Sequence, residues 1–178
     1  MLAFASCVIS RRMKNHAPKN VHENDLRAWL RSVWSKGKGG IGLQWIEPAK
    51  GSSVGFPDVL IPVWPILIPV ELKVTKKDTN ESYSSIVRPV QRRFHLIMKD
   101  TNFISFYMLA VGNVDCFDVW LAHNSFSPWS KNNSPGELLI ASNQTRKSSI
   151  DRLQLASEFL RLMNKHNQVV IQIPGDEI

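Results

Sequence analysis

Residues 55–74 read Gly55-Phe56-Pro57-Asp58-Val59-Leu60-Ile61-Pro62-Val63-Trp64-Pro65-Ile66-Leu67-Ile68-Pro69-Val70-Glu71-Leu72-Lys73-Val74, and the fold turns on this stretch. Two runs rich in Val, Ile and Leu, 59–63 and 66–74, flank the Trp64-Pro65 step, which fits a tight reversal. The spacing therefore predicts a hairpin of two buried strands. Pro62, Pro65 and Pro69 break the apolar run 59–70, which is also too short to span a bilayer as a helix. Within it the charges stand out. Glu71 and Lys73 interrupt a segment apolar enough for a central strand, where unpaired charges are costly to bury. Period-two alternation puts both on one face, and the reversal brings Asp58 opposite them.

Working outward, residues 21–34 place Leu26, Trp29, Leu30, Val33 and Trp34 on one helical face, with Arg27 and Arg31 pointing outward. The glycines of 37–42 end that helix, 43–46 reads as a strand, and 48–55 as a loop. After a polar loop at 78–85, Pro89 occupies a natural first helical position for a helix to about Lys99, with Val90, Phe94 and Ile97 expected inward. Strands are predicted at 103–111 and 116–121. Residues 124–136, rich in Ser, Asn and Pro, read as a mobile loop, and Ser148 with Asp151 signals the start of a last helix to about His166. No internal repeat is visible. The order helix, three strands, helix, two strands, helix predicts an α/β sandwich with helices covering a central mixed sheet.

The 178 residues, 43% hydrophobic, suit one compact domain and leave no room for a second. The expected division is a flexible N-terminal tail at 1–20 and a single domain at 21–178. Lys plus Arg number 22 against 15 Asp plus Glu, a net charge of +7 that favours a polyanionic partner, nucleic acid being the commonest; charge alone is equally compatible with a purely solubilising role. Cys7 and Cys116 lie far apart with no CxxC or Cys/His pairing, so neither a disulfide framework nor a zinc site is indicated, and a reducing cytoplasm is expected. At the start, Arg11, Arg12 and Lys14 follow the apolar residues, the wrong order for a secretory signal. A soluble protein without membrane association is expected.

Phosphodiester cleavage needs a hard cation to polarise the phosphate and acidify its bound water, and carboxylate oxygens suit Mg²⁺ better than nitrogen or sulfur. Asp58 and Glu71 are the candidate ligands, with Mn²⁺ able to substitute. Lys73, next to both, is placed to position water or to stabilise charge developing on the phosphate. Taken singly, an ExK tripeptide or a Pro-Asp dipeptide is ordinarily structural; their setting in an apolar strand pair favours a site.

Pro57-Asp58, Glu71-Leu72-Lys73 and a following helix bearing Gln91 together resemble the PD-(D/E)XK nuclease superfamily, over about residues 21–121. The resemblance implies a restriction-endonuclease-like three-layer fold with an αβββαβ core and a metal-dependent DNA endonuclease. It suggests a small stand-alone phage or repair-type enzyme acting on branched DNA such as Holliday junctions, or processing phage DNA, in bacterial or phage-infected cytoplasm, as a homodimer. It also implies Glu23 and the Leu72 carbonyl as further metal ligands and Gln91 as a site residue. Glu23 fits equally well as an acid favoured by the helix macrodipole. His95, one turn after Gln91, reads either as a phosphate contact or as a partly buried helix histidine. Lys76, Lys77, Arg88, Arg92 and Arg93 form a basic cluster suited to a phosphate backbone. The chain departs from the compact members of the superfamily in the long stretch between Lys73 and Gln91, which lacks an expected glycine.

Other signals are weaker. Gly37-Lys38-Gly39-Gly40 lacks the spacing of a phosphate loop and follows a helix instead of opening one. The histidines at 16, 22, 95, 123 and 166 show no HExxH spacing. Most tryptophans lie in apolar segments, and Trp129 alone falls within the predicted mobile loop. Two rival readings remain: a non-catalytic nucleic-acid-binding module of the same fold, and a protein-interaction inhibitor.

Overall fold

The computed structural model describes residues 19–35, 42–46, 55–75, 86–124, 136–143 and 150–166. Among these described residues, three helices and six strands occur in the order α1 (Glu23–Trp34), β1 (Gln44–Trp45), β2 (Val59–Val63), β3 (Ile66–Thr75), α2 (Pro89–Asp100), β4 (Phe106–Asn113), β5 (Cys116–His123), β6 (Leu138–Asn143) and α3 (Arg152–Lys165). The strands form one sheet in the order β1-β2-β3-β4-β5-β6. Every neighbouring pair is antiparallel except β3 with β4, so the sheet is mixed. The crossover that a parallel pair requires carries α2.

The predicted hairpin forms. Its ladder runs from Val59↔Val70 to Val63↔Ile66, and the reversal contains a cis Trp64-Pro65 bond. Val59, Ile61, Val63, Ile68, Val70 and Leu72 are buried in a core shared with Leu26 and Leu30 of α1 and with Leu155 and Phe159 of α3. Phe106 meets Phe159 edge-on at 4.9 Å. The opposite face is poorer in apolar burial. Leu67 there is 53% exposed, and Glu71 is buried where α2 covers it. That division of faces positions the site.

Local chemistry sets the helix ends. Asp25 accepts from the His22 N–H at 2.8 Å, and the acids of the first turn of α1, Glu23 and Asp25, suit the positive end of its dipole. Asp151 caps α3 by accepting from the Gln154 N–H at 2.9 Å, and the Gln154 side chain reciprocates on the Asp151 N–H at 2.9 Å. The far end of α3 is tied to the sheet through Glu137, whose carboxylate accepts from the His123 N–H at 3.0 Å and meets Lys165 at 3.0 Å and His166 at 2.8 Å.

Several expectations are corrected. The face that α2 turns inward carries Gln91 and His95, while Val90 and Ile97 are 48% and 50% exposed. A helix lying over a buried carboxylate must offer it donors, and this requirement overrides the apolar periodicity. Arg27 does not simply point outward; it reaches Asp58. The strand expected at 43–46 shortens to Gln44–Trp45. The strand expected to start at 103 starts at Phe106, because the Phe103 N–H donates to Met98 O at 2.7 Å in closing the end of α2. An unanticipated sixth strand, Leu138–Asn143, pairs with β5.

Asn20, at the end of the expected tail, bridges to Asn113, and Lys19 O accepts from the Val114 N–H at 3.0 Å. The expectations for residues 1–18, for the loops at 37–41, 48–54 and 78–85, for residues 125–135 with Trp129, and for Ser148 lie outside the described residues. Among the described residues no helix is long and apolar enough to cross a membrane.

Candidate active site

Asp58 stands one position before β2, across from Glu71 if the Val59↔Val70 register is continued by one step. One of its carboxylate oxygens accepts the Leu72 backbone N–H at 2.8 Å, and the other accepts from Arg27 at 3.2 Å. The hydrogen bond to Leu72 joins the segment entering β2 to the middle of β3.

Glu71 is fully buried. Its Oε1 accepts from both the Lys73 ammonium and the Gln91 side-chain amide. Its Oε2 is also buried and has no hydrogen-bond partner among the described residues. Burial raises the carboxyl pKa from 4.5 to about 7; the neighbouring charge of Asp58 adds to the rise, and Lys73 opposes it. Lys73 also donates to Leu72 O at 2.9 Å, so the carbonyl expected as a metal ligand is engaged by the ammonium.

Gln91 is the third residue of α2, where its position serves two ends. Its Oε1 accepts the Arg88 N–H at the helix start at 3.1 Å, while its Nε2 reaches Glu71. Gly55 lets this happen. A Cβ there would lie 2.5 Å from the Val90 backbone carbonyl and 2.6 Å from Gln91 N, so the segment leading to Asp58 packs directly on the start of α2.

Beneath these groups lies a buried polar floor. His95, 2% exposed, shares a 2.8 Å hydrogen bond through Nδ1 with Ser105 Oγ and packs against the Tyr107 ring at a tilt of 33°, with ring centroids 3.8 Å apart. Burial first, and Lys73 second, push His95 down to about 3. Burial and then the Glu71 charge push the Tyr107 phenol up. Both rings are therefore neutral near pH 7. His95 thus sits under the site and not on the basic surface.

The other expected residues are more scattered. Glu23, its side chain 42% exposed, pairs with Arg27 at 2.8 Å and is linked to Asp58 through that guanidinium. Arg88 and Arg93 are exposed and Arg92 is partly buried; Lys76 and Lys77 lie outside the described residues. Sequence reading missed Arg27, although its i,i+4 spacing from Glu23 was available as a signal. It also missed Tyr107, which enters through the parallel pairing, and Ser105, the residue just before β4; no local signal exists for either. Trp45, beneath the guanidiniums of Arg27 and Arg31 at 5.2 and 4.8 Å, joins the same edge.

Among the described residues no three carboxylate, histidine or cysteine side chains form a ready-made metal cage. A Mg²⁺ site does not require one, since this ion commonly takes one or two carboxylates and completes its shell with water and substrate oxygens. Two acids pressed together, one with a buried and unpartnered oxygen, fit that type of site. Comparison of the chain with protein-family models, with curated proteins and with solved structures finds no match.

Proposed function

We propose that this chain is a metal-dependent DNA endonuclease with a restriction-endonuclease-like core of the PD-(D/E)XK type. The observation that carries the reading is Glu71: a carboxylate placed at the centre of a sheet, gripped by Lys73 and Gln91 and set against Asp58. Burying such a group is costly, and a structural role would be met more simply by an apolar residue. Asp58 and Glu71 would hold Mg²⁺, or Mn²⁺ in its place. The ion would polarise the scissile phosphate and lower the pKa of a bound water.

The chain's own residues account for the remaining requirements. Lys73 keeps Glu71 toward its ionised form and places a positive charge against that carboxylate. Gln91 fixes the orientation of the Glu71 carboxylate from the start of α2. Neutral His95 and Tyr107 pack beneath the site without bringing a competing charge. The exposed Arg88 and Arg93 suit the DNA backbone.

The deciding experiment incubates wild type and Lys73→Ala with linear, circular, single-stranded and four-way-junction DNA, in Mg²⁺ and in EDTA. Wild type should cut only with the metal, and loss of the ammonium should slow cutting by about 10²–10³, the usual effect of removing one transition-state donor. Cutting that survives EDTA, or equal cutting by both proteins, refutes the proposal.

A further inference from the structure

Arg27 bridges the two acids that the superfamily resemblance would both assign to the metal. Its Nε and Nη2 hold Glu23 Oε1 at 2.9 and 2.8 Å, while Nη2 alone reaches Asp58 Oδ1 at the longer distance of 3.2 Å. The indole of Trp45 lies under the same guanidinium at 5.2 Å. Arg27 is therefore anchored by Glu23 and Trp45 independently of Asp58. It can give up Asp58 and keep its place.

Asp58 also keeps its orientation without Arg27, because the Leu72 N–H holds the other oxygen at 2.8 Å. The longest and least supported contact of the cluster is thus the one between Arg27 and Asp58. Of the two contacts that Asp58 makes, the one to Arg27 is therefore the one it would give up most readily to a divalent ion.

We infer that Arg27 is a resident cation that neutralises Asp58 in the metal-free protein and yields it to the divalent ion, and that Glu23 acts by retaining Arg27 instead of by ligating the metal. The inference rests on the proposed metal site at Asp58 and Glu71. Release leaves one N–H of a fixed guanidinium without its carboxylate, a donor suited to a phosphate oxygen. Arg27 is thus a positioning residue, and Glu23 its anchor.

The test measures Mn²⁺ binding, by the electron paramagnetic resonance signal of the free ion, for wild type, Arg27→Met, Arg27→Lys, Glu23→Gln, the Arg27→Met/Glu23→Gln double variant and Asp58→Asn. Removing the competing guanidinium should tighten Mn²⁺ binding by roughly fivefold, the factor corresponding to one released ion pair of this exposure. Arg27→Lys, whose single ammonium cannot serve both acids as well, should fall between Arg27→Met and wild type. A damaged fold would weaken binding, so tightening cannot arise from misfolding.

On the Arg27→Met background, Glu23→Gln should change nothing, since Glu23 has lost the group it acts through. A further loss of tenfold or more in the double variant would make Glu23 a ligand and overturn that half of the inference. Unchanged or weaker binding by both Arg27 variants would overturn the other half. Failure of wild type to bind Mn²⁺, or equal binding by Asp58→Asn, would remove the metal site itself and the inference with it.

Discussion

The Asp58 carboxylate and the Leu72 backbone N–H meet at 2.8 Å, so a side chain at the mouth of β2 takes a donor from the strand that carries Glu71 and Lys73. This contact holds Asp58 within electrostatic reach of Glu71 and gives Asp58 a structural role besides any chemical one. The two roles separate by substitution. Asn at 58 keeps an oxygen for the Leu72 N–H but loses the charge; Ala loses both. In urea unfolding Asp58→Ala should be destabilised by about 1.5–3 kcal/mol, the range for a hydrogen bond to a charged group, and Asp58→Asn by distinctly less. Both should lose Mn²⁺ binding. Equal destabilisation by the two variants would mean that the Leu72 contact contributes nothing to stability.

The pH dependence of stability follows from two buried groups of opposite sign. Glu71 is raised to about 7, so between about pH 4.5 and 7 the folded protein holds a proton that the unfolded chain has lost, and its contribution to stability falls as pH rises. His95 is lowered from 6.5 to about 3, so below about pH 6.5 the unfolded chain takes up a proton that the folded protein refuses, and its contribution falls as pH drops. Between about pH 4.5 and 6.5 the two slopes oppose each other and nearly cancel. Glu71→Gln removes one of them. That variant should lose about 2 kcal/mol more than wild type on going from about pH 6.5 to 5, measured by urea unfolding without metal. Parallel pH profiles for the two proteins would refute the assignment.

Gly55 should tolerate no side chain. The Cβ of Ala would meet the backbone of Val90 and Gln91, which cannot rotate away as the end of a flexible side chain can. The strain should cost about 1–3 kcal/mol and push the start of α2 off the Asp58 segment. Because Gln91 rides on that turn, Gly55→Ala should also weaken Mn²⁺ binding, although residue 55 carries no ligand atom. A variant with wild-type stability and metal affinity would show that this close approach is relaxed in solution.

Arg93 is exposed on α2, close in sequence to Gln91, and Arg92 is partly buried beside Tyr107. If Arg93 contacts a phosphate, Arg93→Ala should weaken binding to all DNA sequences alike and reduce the slope of log affinity against log salt by about 1. A filter-binding series in EDTA, which allows binding without cutting, measures both quantities. An unchanged slope would remove Arg93 from the DNA-facing surface.

Much of the fold was legible because the relevant signals are local. The apolar runs on either side of Trp64-Pro65, the heptad-like face of α1 and the Pro89 helix start depend on residues a few positions apart, and all three formed. The strand Leu138–Asn143 escaped because a short apolar run shows its identity only when a partner, here β5, supplies the ladder.

Sequence by itself determined that Asp58, Glu71 and Lys73 belong to one hairpin, since alternation along β3 and a two-residue reversal leave few other arrangements. Only the tertiary structure decided what surrounds them. The parallel pairing that sets Tyr107 beside Glu71, the burial of His95 against Ser105 and Tyr107, and the reach of Arg27 to Asp58 join elements distant in the chain. The physical reason is that a buried carboxylate must find donors wherever the fold places them, and this demand, invisible in any local pattern, overrode the apolar periodicity that had assigned α2 the wrong face.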